Sequence, residues 1–316
     1  MKSFAFVFPG QGSQAVGMLD AWGDHPAVRA TLQEASAALG QDLAELIHTG
    51  PKEDLALTTN TQPVMLVAGV AAYRAWRAEG GELPAAVAGH SLGEYAALVA
   101  AEVLTLAEAV PLVRLRAQAM QEAVPVGQGA MAAILGLTSA QVIDGCAQAQ
   151  ASFGAGSPEV VDAANFNDPA QTVIAGSKAA VDKACELLKA MGAKRALLLP
   201  VSAPFHSRLM QPAAERLQAR LAELTLQAPR IPVVNNIDVS VESDPARIRD
   251  ALYRQAFGPV RWVECVQAIK ARGMGAVIEC GPGKVLAGLT RRIDAELLSG
   301  AVFDPASLQE TRTLLS

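Results

Sequence analysis

The feature that most constrains this chain is a pentapeptide, Gly89-His90-Ser91-Leu92-Gly93. An apolar run at residues 85–88 precedes it, and a helix-forming stretch with Tyr95, Ala96, Ala97 and Leu98 follows. A short apolar run, a tight glycine turn and a helix make a strand–turn–helix unit of an α/β fold. The two glycines remove Cβ atoms where strand and helix crowd together. Ser91 is then exposed at a helix N-terminus, where the Leu92 N–H and the helix dipole favour a developing negative charge. Ser91 is thus a candidate nucleophile. The same five residues also fit an ordinary turn in which Ser91 only caps the helix.

The rest of the first half alternates in the same way. Residues 4–8 read as a strand, 27–39 as a helix ending near Gly40, and 61–79 as a longer helix with Pro63 in its first turn. Such alternation implies a parallel sheet with helices on its faces. Residues 130–200 follow another rhythm. Strands are expected at 130–136, 158–165, 172–175 and 195–199, with a turn at Asn167-Asp168-Pro169. Ser139 is expected to cap a helix to about Gln150, and Ser177 one to Met191. The order β-α-β-β-α-β is the split βαβ arrangement of ferredoxin-like modules. The expected division is a small domain at 128–201 inserted into a large one formed by 1–127 and 202–316.

Composition excludes several classes. The chain has 316 residues, 51% hydrophobic and 18% charged, with a net charge of −5. There is no basic stripe, so a nucleic-acid binder is not expected. Only 4% of residues are aromatic, leaving Ala, Leu and Val to fill the interior. Cys146, Cys185, Cys265 and Cys280 form no CxxC pair, and no His stands at ligand spacing from them. They read as reduced, buried thiols of a cytoplasmic protein, with no metal site. The N-terminal apolar run is broken by Pro9 and Gly10 and reads as a strand, not a signal peptide. The longest uncharged apolar stretch, residues 63–73, is well short of the ~20 that span a bilayer.

A serine hydroxyl needs a base to take its proton. The chain has four histidines. His25 and His48 lie in polar surroundings and read as surface residues. His90 adjoins Ser91 in the turn, so its ring should point away from the hydroxyl. His206, in the loop Val201-Ser202-Ala203-Pro204-Phe205-His206-Ser207, remains as the candidate base.

Taken together, Phe8-Pro9-Gly10-Gln11-Gly12-Ser13-Gln14, the Ser91 pentapeptide with Glu94, the His206 loop and Glu279-Cys280-Gly281-Pro282-Gly283 resemble bacterial malonyl-CoA:acyl-carrier-protein transacylases. The acyltransferase domains of polyketide and fatty acid synthases are similar. The resemblance runs from Phe4 to about Ile293. It implies a large α/β-hydrolase-like domain carrying a small ferredoxin-like one, and transfer of malonyl from coenzyme A to acyl carrier protein through an ester on Ser91. It implies His206 as base, and Gln11 and Leu92 backbone N–H groups as the oxyanion hole, where losing one donor typically costs ~10²–10³ in rate. It implies Arg116 as the clamp on the malonyl carboxylate, since a guanidinium grips a carboxylate with two parallel hydrogen bonds. Arg114 faces differently and is the weaker candidate. Gln255 is implied to line the substrate site and to orient His206 through its main-chain carbonyl. Asp or Glu orients the histidine in ordinary α/β-hydrolases; here no carboxylate, Asp144, Asp162 and Asp168 included, is expected on the ring. Phe205 is implied to crowd an α-methyl group and so favour malonyl over methylmalonyl. No resident cofactor is implied, and a monomer suits the family.

Other signals are discounted. Gly10-Gln11-Gly12-Ser13-Gln14-Ala15 fits a dinucleotide fingerprint but lacks the acidic strand end about 20 residues on. Gly281-Pro282-Gly283-Lys284 has the wrong spacing for a phosphate loop and reads as a turn before a helix at Val285. Asn235-Asn236 reads as a polar turn with an unplaced substrate role. An acidic carrier protein would need a basic patch, for which Lys194, Arg195, Arg208, Lys270, Arg272, Lys284, Arg291 and Arg292 are candidates. Two other readings stay open: a serine thioesterase or esterase, and a non-catalytic carrier-binding subunit.

Overall fold

The computed structural model describes residues 2–316. Its strands are β1 (Phe4–Phe8), β2 (Ala86–Gly89), β3 (Gly129–Leu135), β4 (Val161–Asp168), β5 (Gln171–Ser177), β6 (Arg195–Leu198), β7 (Val233–Val234), β8 (Ala276–Cys280) and β9 (Leu298–Val302). They form two sheets. One is five-stranded in the order β7-β2-β1-β8-β9, and every pairing in it is parallel. The other is four-stranded in the order β4-β5-β3-β6, and every pairing in it is antiparallel. The fold is α/β, with helices packed on a parallel sheet.

The reason lies in β1. Phe4, Phe6 and Phe8 point to one face and enter the larger core, while Ala5 and Val7 point to the other face and enter a second core. A strand buried on both faces is what helix-covered parallel sheets require. The few aromatics are concentrated here. Phe4 and Phe6 meet Trp76 edge-on at 6.0 and 5.4 Å, and Tyr73 meets Phe6 and Phe8 at 6.1 and 6.3 Å.

Several boundaries differ from the sequence reading. The long helix is Thr58–Ala78 with Leu57 as N-cap, so Pro63 lies inside it and denies the Thr59 carbonyl its helical donor. Thr138, not Ser139, caps the helix Ser139–Ala151, through a reciprocal box with Gln141. Ser177 occupies the cap position of Lys178–Ala190, but its hydroxyl turns to Val160 O and the Glu159 carboxylate. Strand β4 extends through Asn167 and Asp168, which moves the turn to Pro169 and Ala170. Strands β8 and β9 and the helix Pro305–Leu315 were not foreseen. His25 is not a free surface residue: its ring accepts from Ala27 N at 3.2 Å and caps the helix Pro26–Leu39. His48 is exposed and bonds Asp20 at 2.8 Å.

The antiparallel sheet is tied to elements packed around the parallel one. Phe166 N–H donates to Val260 O at 2.9 Å, and Val260 N–H donates to Ala164 O at 2.8 Å. Arg292, on the helix Val285–Ile293, donates to Asp168 at 2.7 Å. No helix among the described residues is long and apolar enough to cross a membrane.

Candidate active site

Ser91 follows β2 in a turn with φ +52°, the left-handed region that L-residues avoid. A Cβ on Gly89 would stand 1.9 Å from the Gly93 carbonyl carbon, and one on Gly93 would stand 2.0 Å from Phe8 O. Both positions must therefore be glycine. The helix Gly93–Ala100 has no side-chain cap. The Ser91 hydroxyl instead meets His206 Nε2 at 2.6 Å, which removes the capping alternative.

His206 is itself strained, at φ +63°, and only 3% exposed. Its Nδ1 faces the carbonyls of Gln255 at 3.0 Å and Gly258 at 3.2 Å. Carbonyls only accept, so Nδ1 carries the proton and Nε2 accepts from Ser91. Both carbonyls come from the end of the helix Pro245–Phe257, where helical oxygens run out of donors. The negative end of one helix thus faces the imidazole, while the positive end of another faces the serine. Burial, and then the Arg116 cation, hold the His206 ring down to about 3, so it is neutral before substrate binds. Asp144, Asp162 and Asp168 are engaged elsewhere, with Gln148, Arg208 and Arg292.

Arg116 lies on the helix Leu106–Glu122, capped by a box between Thr105 and Glu108. Ala109, Leu112, Val113, Arg116 and Met120 share its buried face. Arg116 is 2% exposed. Its Nη1 donates to Gln62 Oε1 at 2.7 Å, and its Nη2 to Gln255 Oε1 and Ser91 Oγ, both at 3.3 Å. The guanidinium stands 5.5 Å from the Tyr95 ring centroid. Nε is buried without an acceptor. Among the described residues no carboxylate forms an ion pair with it. Arg114 turns away, to Gln41 and Asn60.

Ser91, His206, Arg116 and Gln62 line a pocket of about 140 Å³ with Gln11, Leu92, Met131, Leu199, Val201 and Phe205, while Gln255 lies behind it and does not line it. A larger groove, about 630 Å³, lies by Ile143, Cys146 and Arg208 and holds neither Ser91 nor His206. His90 also lines the small pocket. Its Nε2 points to Asn167 Oδ1 on β4 at 2.8 Å, and burial lowers its pKa. Among the described residues, no three His, Cys, Asp or Glu side chains could hold a metal ion together.

Sequence reasoning missed three supporting residues. Gln62 braces Arg116. Asn236 is no loose polar turn: its Oδ1 accepts from Ser91 N and its Nδ2 donates to Gly89 O, both at 2.8 Å, so it clamps the elbow. Glu94 is 2% exposed, and its Oε2 accepts from Asn236 N at 2.9 Å and Gln255 Nε2 at 3.1 Å. Burial raises its carboxyl to about 7. The available signals were a charge in an otherwise apolar helix and a polar pair at the end of a parallel strand, where ligands gather. Among the expected docking cations, Arg208, Lys270 and Arg292 are already paired with acids. Lys194, Arg195, Arg272, Lys284 and Arg291 form no ion pair among the described residues.

A strained serine bonded to a neutral histidine, beside an unpaired buried cation, is an arrangement suited to acyl transfer. Residues 5–296 match the acyl transferase domain family, and the chain belongs to that family. It is similar to the malonyl CoA-acyl carrier protein transacylase of Salmonella typhimurium, at 52% identity over 99% of this chain and 100% of that protein. The crystal structure of an acyl-carrier-protein S-malonyltransferase from Burkholderia pseudomallei 1710b matches with a TM-score of 0.95 at 63% identity, covering 98% of this chain and 99% of that one. A malonyl-transacylase solved in complex with its type II PKS acyl-carrier protein matches with a TM-score of 0.93 at 48% identity, covering 97% and 98% of the two chains.

Proposed function

We propose that this chain is a malonyl-CoA:acyl-carrier-protein transacylase, supplying extender units for fatty acid or polyketide synthesis. The observation that carries this reading is Arg116, a buried cation without an acidic partner, 3.3 Å from Ser91 Oγ. A buried charge is costly unless paired. An acyl group bearing a free carboxylate supplies the missing partner, and acetyl does not.

In the first half-reaction Ser91 Oγ gives its proton to His206 Nε2 and bonds to the thioester carbonyl carbon. The carbonyl oxygen becomes an oxyanion, taken up by the Leu92 and Gln11 N–H groups. The C–S bond then breaks, and the coenzyme A sulfur leaves with the His206 proton. In the second half-reaction the phosphopantetheine thiol of acyl carrier protein gives its proton to His206 and attacks the malonyl ester, and Ser91 recovers its proton. Gln255 and Gly258 carbonyls hold the imidazolium while Arg116 keeps the malonyl carboxylate. Kinetics are ping-pong. Phe205 limits the space beside the α-carbon.

The finer architecture belongs to the same reading. The order β4-β5-β3-β6, with its two helices, supports a ferredoxin-like domain at 128–201 inserted into an α/β-hydrolase-like domain at 1–127 and 202–316. The enzyme works as a cytoplasmic monomer without a resident cofactor. The test mixes it with malonyl-CoA and phosphopantetheinylated carrier protein under intact-mass detection. Malonyl on the carrier, through an enzyme adduct lost in Ser91→Ala, is the expected result. Free malonate with unmodified carrier would instead make it a thioesterase.

A further inference from the structure

Gln255 uses every polar atom it has. Its main-chain oxygen takes the His206 Nδ1 proton at 3.0 Å. Its Nε2 donates to Ser91 O at 3.0 Å and to Glu94 Oε2 at 3.1 Å, and its Oε1 accepts from Arg116 Nη2 at 3.3 Å. The residue is fully buried, as is Glu94 but for 2%. A carboxamide can in general be turned over, exchanging oxygen and nitrogen. Here a turned amide would set its oxygen against the Ser91 carbonyl and against Glu94 Oε2, which already accepts from Asn236 N, so both neighbours are acceptors. Its NH₂ would face the guanidinium, a pure donor.

We infer that Glu94 is a positioning residue for substrate choice: it fixes the Gln255 carboxamide with its oxygen toward Arg116. Two neutral carboxamide oxygens, from Gln62 and Gln255, then hold the guanidinium in place. Neither cancels its charge. Glu94 lies one residue removed, bonded to Gln255 and Asn236 and not ion-paired with Arg116. A carboxylate in direct contact would neutralise the cation and close it to substrate. The relay through Gln255 gives aim without neutralisation, which leaves the charge for the acyl carboxylate. This inference rests on the reading of Arg116 as the carboxylate clamp.

The readout is the rate at which Ser91 is loaded from malonyl-CoA and, separately, from acetyl-CoA. Wild type loads malonyl faster. In Glu94→Leu the amide loses one of the three contacts that orient it and is held less firmly, and the malonyl-to-acetyl ratio of kcat/KM falls at least tenfold, mainly through a higher malonyl-CoA KM. Glu94→Gln keeps an acceptor oxygen for Gln255 Nε2 and restores most of the ratio. Gln255→Met removes the bridge from its other end and lowers the ratio alike. Combined with Glu94→Leu it adds little, because the two act through one contact. If Glu94→Leu does not fold, Gln255→Met and Glu94→Gln carry the same comparison. A merely structural Glu94 would slow both thioesters in parallel and leave the ratio unchanged, which overturns the inference while the clamp stands. A wild type that loads acetyl as fast as malonyl removes the clamp itself, and the inference with it.

Discussion

The two sheets do different jobs. The parallel sheet is sealed: β1, β2 and β8 are buried along their whole length. Ser91, His206, Arg116 and Glu94 hang from it or from the helices and loops around it. The antiparallel sheet is half-open, and three of the four residues of its edge strand β6 are exposed. It gives the pocket Met131 and Asn165, and holds the His90 ring through Asn167. Chemistry demands atoms fixed to a fraction of an ångström, so it sits on the densely packed unit. Shape tolerates more movement and is left to the looser one.

Four measurements would break or sharpen that division. The largest effects belong to the parallel unit. Ser91→Ala abolishes the covalent adduct, and His206→Ala slows loading by ~10²–10⁴, the usual range for a lost general base; rapid-quench mass spectrometry reads both. Next, Arg116→Leu lowers malonyl-CoA kcat/KM by roughly 10²-fold or more, as loss of a buried charge partner costs ~2–5 kcal/mol. Acetyl loading stays level or rises, and an equal fall for both thioesters would refute the clamp. Third, Met131→Ala and Phe205→Ala each raise the methylmalonyl-to-malonyl ratio by ~10-fold, the worth of about one methyl group in an apolar pocket. If Met131→Ala also slowed malonyl loading a hundredfold, the antiparallel sheet would be more than a wall.

The smallest effect concerns Glu279 on β8. It is buried, one carboxyl oxygen accepts from Ala287 N at 2.9 Å, and the other has no partner. Burial raises its pKa from 4.5 to about 7. The folded chain therefore keeps this proton to higher pH than the unfolded chain does. The stability it contributes is full below about 4.5 and is lost as pH rises through about 7. Glu279→Gln removes that downward slope. Urea midpoints of the two proteins at pH 5 and pH 8 test it, and a difference that does not change with pH would refute it.

Much of this was legible in the residues because some positions admit one solution. Gly89 and Gly93 have no room for a Cβ, so the elbow was readable from five letters. His206 emerged from a field of four histidines. Arg116 needed the family resemblance, although the buried spacing of Ala109, Leu112, Val113 and Met120 placed it on an apolar stripe. Gln62, Glu94 and Asn236 were not legible as a network. Carboxamides carry no periodicity, and their partners come from distant parts of the chain: Asn236 reaches back 145 residues to Ser91. Strands β8 and β9 were missed because five-residue apolar runs, with a glycine inside β9, do not distinguish strand from helix.

The unpaired guanidinium beside the histidine has a thermodynamic corollary. It depresses the basicity of His206, and a carboxylate seated on it relieves part of that depression. Linkage makes the effect reciprocal: the factor by which a bound carboxylate eases protonation of the ring is the factor by which a protonated ring tightens the hold on the carboxylate. Recognition and proton transfer then share one coupling free energy. On the proposed reading of Arg116 as the carboxylate clamp, a thioester without the negative charge meets a weaker base as well as an empty clamp, and one side chain discriminates against it twice.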